Sequence, residues 1–288
     1  MELPQRPARQ SRSRKCLCIG IPILAVILLL VIIVPAAVIL TEKRGSIGLP
    51  STILLPLYLY PTNDAWKPLY KAIEKAPKLN FTVIVNPSNG PGGMTDLMHF
   101  KPALQKLAAF RNVQTVGYVT TENGTRSTGE VQQDILKYST WSNMPLNCTL
   151  NGIFFDNTPY VEDEETESYL VTINHWAKTA PGIYQPKMVI HKSTEMSPLA
   201  LLNGADIMVG EWSYDELRES QASWDMEKDR SHLGFVVNSV PESASMKDLV
   251  KDMSRSGEFL FATESSKGDA ESFGERWKDF VDAMEKTV

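Results

Sequence analysis

Eight short apolar runs, separated mostly by longer amphipathic stretches, restrict this chain more than any other feature. The runs are 53–60, 81–86, 113–118, 152–156, 188–191, 207–211, 233–238 and 259–262. Helical periodicity is legible over 65–76, 100–110, 129–141, 162–178, 214–221, 246–255 and 270–285. A strand buried on both faces is a near-continuous hydrophobic run, and strands alternating with helices make βαβ units around a parallel sheet. Eight such units predict an α/β fold closed into a (β/α)8 TIM-like barrel. The fifth unit is the shortest, since 192–203 leaves room only for a short helix. An open doubly wound sheet is the alternative, yet no Gly-x-Gly-x-x-Gly turn marks a dinucleotide site.

Two of the runs end abruptly in an acid: Gly152-Ile153-Phe154-Phe155-Asp156, and Asp206-Ile207-Met208-Val209-Gly210-Glu211. In a β/α barrel the C-terminal strand ends open onto the catalytic face. Two carboxyls delivered there suit glycosidic-bond chemistry, in which one acts as acid/base and the other as nucleophile or base. The plainer reading makes each acid the cap of the next helix. Other chemistries are excluded by residue type. There is no Gly-x-Ser-x-Gly elbow, and Asn89-Gly90-Pro91-Gly92-Gly93 lacks the Gly-Lys-Ser/Thr ending of a phosphate loop, so it reads as a glycine-shaped loop at the upper rim. His99, His175, His191 and His232 lack ligand spacing; neither metal nor other cofactor is expected. The run Glu162-Asp163-Glu164-Glu165 reads as a solvated first helical turn after Pro159.

The N-terminal part has a different composition. Residues 1–16 carry Arg6, Arg9, Arg12, Arg14 and Lys15 against Glu2 alone, and are expected to be a disordered basic cytoplasmic tail. Residues 17–40 hold no charge; at about 1.5 Å per residue they suffice for a hydrocarbon core of about 30 Å. The basic flank keeps the N-terminus inside. A transmembrane signal anchor, a linker at 41–50 and an extracellular barrel at 51–288 follow: a single-pass type II plasma-membrane protein. A cleaved signal peptide is the alternative, with small residues at Pro35-Ala36-Ala37-Val38, although its h-region spans only about 7 to 15 residues. Lys43-Arg44 is either a processing site that sheds the domain or flanking charge. Cys16 and Cys18 are candidates for S-palmitoylation or an unmodified pair. Cys148 stands alone in the exported part, which therefore holds by packing rather than an intramolecular disulfide. Sequons occur at Asn80, Asn123 and Asn147, of which Asn123 is the clearest surface site.

Residues 1–44 carry seven of the 29 basic and two of the 34 acidic residues, so 45–288 hold 22 against 32, a net −10. Nucleic acid is therefore an unsuitable partner, and a neutral or cationic ligand suits the domain better.

Particular words narrow the reading further. Pro56-Leu57-Tyr58-Leu59-Tyr60-Pro61, Val85-Asn86-Pro87-Ser88-Asn89-Gly90-Pro91-Gly92, Gly117-Tyr118-Val119-Thr120-Thr121, Asp134-Ile135 with Tyr138 and Trp141, and Gly152-Ile153-Phe154-Phe155-Asp156 occur in the order found in the spherulin (spherulation-specific) family. The resemblance covers about 53–261. It implies a β/α-barrel glycoside hydrolase related to enzymes that cleave fungal galactosaminogalactan at α-1,4-linked N-acetylgalactosamine, with a cell-wall or biofilm polysaccharide as partner. Asp156 and Glu211 match the family's acids at the ends of the fourth and sixth strands. The family usually continues Asp-Glu, whereas Asn157 follows here, and its fifth strand tends to end Asn-Pro-Gly where this chain has Ile190-His191-Lys192. Asn157 can still orient a sugar hydroxyl or acetamido group. Tyr60, Asn86, Tyr118, His191 and Trp212 are the further candidates for substrate contact, with rim packing as the plainer role for the aromatics. A membrane-anchored glycosidase and an inactive wall-glycan-binding relative are the two expectations.

Overall fold

The computed structural model describes residues 48–142, 148–193, 196, 201, 203–219, 229–266 and 273–288. Eight parallel strands close in sequence order: β1 (Thr52–Leu57), β2 (Phe81–Val85), β3 (Val113–Thr120), β4 (Gly152–Asp156), β5 (Met188–Lys192), β6 (Ile207–Ser213), β7 (Leu233–Asn238) and β8 (Phe259–Ala262). β8 pairs back onto β1 through Phe259 opposite Thr52, which completes the barrel. The described helices are α1 (Lys67–Lys75), α2 (Met94–Ala108), α3 (Thr128–Thr140), α4 (Glu164–Thr179), α5 (Tyr214–Glu219), α6 (Met246–Ser256) and α7 (Trp277–Glu285).

Strand alternation sorts the apolar side chains into two cores. Leu54, Ile84, Val116, Phe154, Ile190, Val209 and Val236 fill the barrel interior. Their neighbours, among them Ile53, Val83, Phe155, Val189, Met208 and Phe235, face the helical layer and pack with Leu69, Phe100, Ile135 and Ile173. Each fully buried Leu, Ile or Phe is worth about 1.5–3 kcal/mol, so both faces of the sheet are strongly specified. Gly117 marks a close approach, because a Cβ there would lie 2.8 Å from the Tyr138 ring. Tyr138 uses that gap to donate its hydroxyl to Tyr118 O at 2.9 Å, tying α3 to the upper end of β3.

Local chemistry fixes the helix starts. Ser127 and Glu130 form a capping box at α3, and Asp163 accepts from Thr166 N as the cap of α4, so of the acidic run Glu164 and Glu165 lie in that helix's first turn and Glu162 precedes the cap. α2 begins at Met94, six residues before the periodicity expected, because Asp96 accepts from Gly93 N at 2.8 Å and closes the turn ahead of it. β1 ends at Leu57 rather than residue 60, where its pairing with β2 stops at Val85. Among the described residues no helix is long and apolar enough to cross a membrane. The expected tail, anchor, Cys16, Cys18, Lys43-Arg44 and Asn147 lie outside the described residues.

Candidate active site

The same alternation decides what stands at the upper mouth of the barrel. Two residues above Ile84, Phe154, Ile190, Val209 and Val236 stand the polar side chains Asn86, Asp156, Lys192, Glu211 and Asn238, and on β1 Tyr58 follows Leu54 after one further interior step at Pro56. Tyr118 joins them from β3, directly opposite Phe154 and one step below Asp156. An apolar plug thus carries a polar ring.

The ring has a definite centre. Lys192 Nζ lies 3.0 Å from Asp156 Oδ1 and 2.9 Å from Glu211 Oε2. Register explains the reach: Lys192 pairs with Val209, one interior step below Glu211, and its long side chain rises to the acid layer. All three side chains are largely removed from solvent, with 18%, 9% and 11% of Lys192, Asp156 and Glu211 exposed. Burial works to lower the Lys192 pKa, but the charges of Asp156 and Glu211 outweigh it and hold the ammonium above its ordinary value.

Asp156 is tied from two further sides. Tyr118 donates its hydroxyl to Oδ2 at 2.8 Å, and Asn157 N–H donates to Oδ1 at 2.9 Å. Burial, then the negative charge of Asp156, raises the Tyr118 phenol above its ordinary value, so it remains a donor. Tyr58 stands edge-on to Tyr118 with ring centroids 5.4 Å apart, and burial followed by Asp156 pushes its phenol up as well. At Glu211, the Asn238 amide donates to Oε1 at 3.4 Å.

The other expected site residues divide. Asn86 accepts from Gly90 N at 3.0 Å and so shapes the glycine loop at the rim. Asn157 is exposed, with φ 50°, in the left-handed region that Asn tolerates better than most residues; its carbonyl accepts from Asn123 N at 2.7 Å and Thr121 Oγ1 at 2.6 Å. Tyr60 turns onto α2, where it donates to Asp96 Oδ1 at 3.3 Å and meets Phe100 edge-on at 5.2 Å. Two candidates are corrected. His191 faces the helical layer, buried, with Nε2 2.6 Å from Asn174 Oδ1 on α4 and its ring 5.3 Å from Phe155. Trp212 also points outward: its ring covers Gly210, where a Cβ would lie 1.9 Å away, and packs on Phe235 at 5.6 Å. Alternation turns both away from the acids. Lys192, Tyr58 and Asn238 were the ring members that sequence reasoning missed; the two-residue step back from Asp156 and Glu211 along each strand was the signal available.

A parallel barrel with two carboxylates converging at its C-terminal mouth is an arrangement that glycosidases use. The profile of spherulation-specific family 4 matches residues 52–284, and the chain belongs to that family. Spherulin-4 of Physarum polycephalum is 30% identical over 175 residues, covering 61% of this chain and 49% of its own length; the chain thus spans about half of that relative. The crystal structure of Aspergillus clavatus Sph3 in complex with GalNAc superposes with a TM-score of 0.77 at 32% identity, over 83% of this chain and 98% of that one. A chitinase from Bacteroides thetaiotaomicron shares the fold at a TM-score of 0.52 and 8% identity, over 83% and 96% of the two chains.

Proposed function

We propose that this chain is a glycoside hydrolase that cleaves an amino-sugar-containing cell-wall or biofilm polysaccharide at N-acetylgalactosamine, as an endo-α-1,4-N-acetylgalactosaminidase does. The observation that carries this reading is the convergence of Asp156 and Glu211 on one ammonium. The shared Lys192 contact holds their facing oxygens within about 6 Å of one another, and we take the pair as a retaining one, for which the carboxyl groups stand about 5–5.5 Å apart rather than the about 6.5–9.5 Å of inverting pairs. Asp156 is the nucleophile, since the Tyr118 hydroxyl and the Asn157 amide already stabilise its charge. Glu211 is the general acid/base, with the Asn238 amide beside it. Asn86, Tyr118 and Asn157 orient sugar hydroxyls. The 32% identity with a GalNAc-complexed protein supports the choice of sugar.

In the same proposal residues 17–40 anchor the chain in the plasma membrane with the barrel outside. Their length without charge supports this, as do the exposed sequon residues Asn80 and Asn123. The test of the chemistry is the configuration of the first product from an α-1,4-linked N-acetylgalactosamine oligomer, followed by proton NMR. The α anomer is expected; a β anomer contradicts the assigned roles.

A second reading has its own observations. By the resemblance drawn from the sequence, Asn157 stands where the family usually has a carboxylate, and Lys192 Nζ contacts both acids. These favour a wall-glycan-binding protein that does not cleave. Glycan binding without new reducing ends would select it.

A further inference from the structure

Two carboxylates held within reach of one another and shielded from water make a strong cation site, because attraction between unit charges grows several-fold as the effective dielectric falls below that of water. Here that position is filled from within the chain. The Lys192 ammonium contacts both acids at 3.0 and 2.9 Å, and its side chain is only 18% exposed. A ligand ammonium entering between Asp156 and Glu211 would meet a like charge at contact distance. A hydroxyl or an acetamido group would not, and can donate a hydrogen bond to a carboxylate.

The overall charge of the domain argues the other way, since a net −10 over residues 45–288 attracts cations. Magnitude decides between the two. Charges beyond about 8 Å are largely screened at physiological ionic strength, whereas a buried charge in contact is not. Surface acidity therefore affects approach, and Lys192 governs what fits at the centre.

We infer that Lys192 sets the charge selectivity of this site: its ammonium takes the place of a ligand cation between Asp156 and Glu211, so sugars bearing a protonated amine are excluded and uncharged sugars are admitted. The inference rests on the carbohydrate reading above and adds to it a specificity-determining residue.

The experiment measures binding, not cleavage. Galactosamine and N-acetylgalactosamine are titrated at pH 6 into the full chain and into its Lys192→Met, Lys192→Gln and Lys192→Arg variants, with folding checked by circular dichroism. The wild type and Lys192→Arg should bind N-acetylgalactosamine at least tenfold more tightly than galactosamine. In Lys192→Met the ratio should fall to about one or invert, and added salt should weaken the newly gained galactosamine binding. Lys192→Gln removes the charge while keeping an amide donor, so it supplies the same comparison if Lys192→Met does not fold. Equal binding of the two sugars by the wild type, or an unchanged ratio in the folded neutral variants, overturns the inference alone. Binding of neither sugar by any folded protein overturns the carbohydrate reading and the inference with it.

Discussion

Tyr118 donates its hydroxyl to Asp156 across the β3–β4 pair at 2.8 Å, so the phenol of one strand steadies the carboxylate that ends the next. A hydrogen bond to a charged group is worth about 1.5–3 kcal/mol, or roughly 10- to 100-fold in rate. Tyr118→Phe should lower kcat/KM by up to that factor, and it should also lower the unfolding midpoint, because the buried Asp156 carboxylate loses the same donor in the native state. Steady-state kinetics on an N-acetylgalactosamine oligomer checks it; unchanged kcat/KM would remove Tyr118 from the account.

Lys192 also bears on stability. Breaking one side of a buried ion cluster costs about 3–5 kcal/mol, because the remaining charges keep their desolvation penalty. Lys192→Met should lose that amount in urea denaturation, and adding Asp156→Asn with Glu211→Gln should restore part of it. The raised Lys192 pKa gives the pH sign: its stabilisation is fully present below the unfolded value of 10.5 and is lost as pH rises through the folded one. The alkaline decline in stability should therefore be steeper in wild type than in Lys192→Met.

His191 acts at the other end of the pH scale. Burial pushes it from 6.5 down to about 3, so between those values the unfolded chain binds a proton that the native state refuses. Its contribution should fall by about 1.4 kcal/mol per pH unit on acidification through that window. Denaturation of wild type and His191→Gln at pH 7, 5 and 4 reads the difference. Equal slopes would mean that the imidazole is not shielded as the structure has it.

The barrel was legible because eight apolar runs and their intervening helices have different periods, and both acids were legible because a charge ends an otherwise unbroken hydrophobic run. Which face each residue takes was not. In β5 both faces are apolar, so Val189, Ile190 and His191 carry no alternation from which to read direction, and His191 was assigned to the mouth in place of Lys192. Trp212 was misplaced in the same way. It follows Glu211 directly and so cannot share its face, a constraint that one fixed point on the strand supplies.

Asn157 is both a chemical and a conformational departure. Its φ of 50° suits Asn, and a Glu there should cost about 1–2 kcal/mol of stability. Asn157→Glu should nonetheless raise hydrolysis, because a carboxylate re-enters beside Asp156 and the pair can share a proton. Reducing-end rates compared with thermal midpoints test both halves. A folded variant with no gain would place the family departure that matters at β5 instead.

The central claim, that Asp156 and Glu211 together cleave a glycan, is tested most directly by counting new reducing ends released from galactosaminogalactan by the full chain, by Asp156→Asn and by Glu211→Gln. Release by the wild type that falls more than about 100-fold in each folded variant is the expected result for an acid/base or nucleophile pair. Release unchanged in either variant, or glycan binding without any release by the wild type, would contradict it.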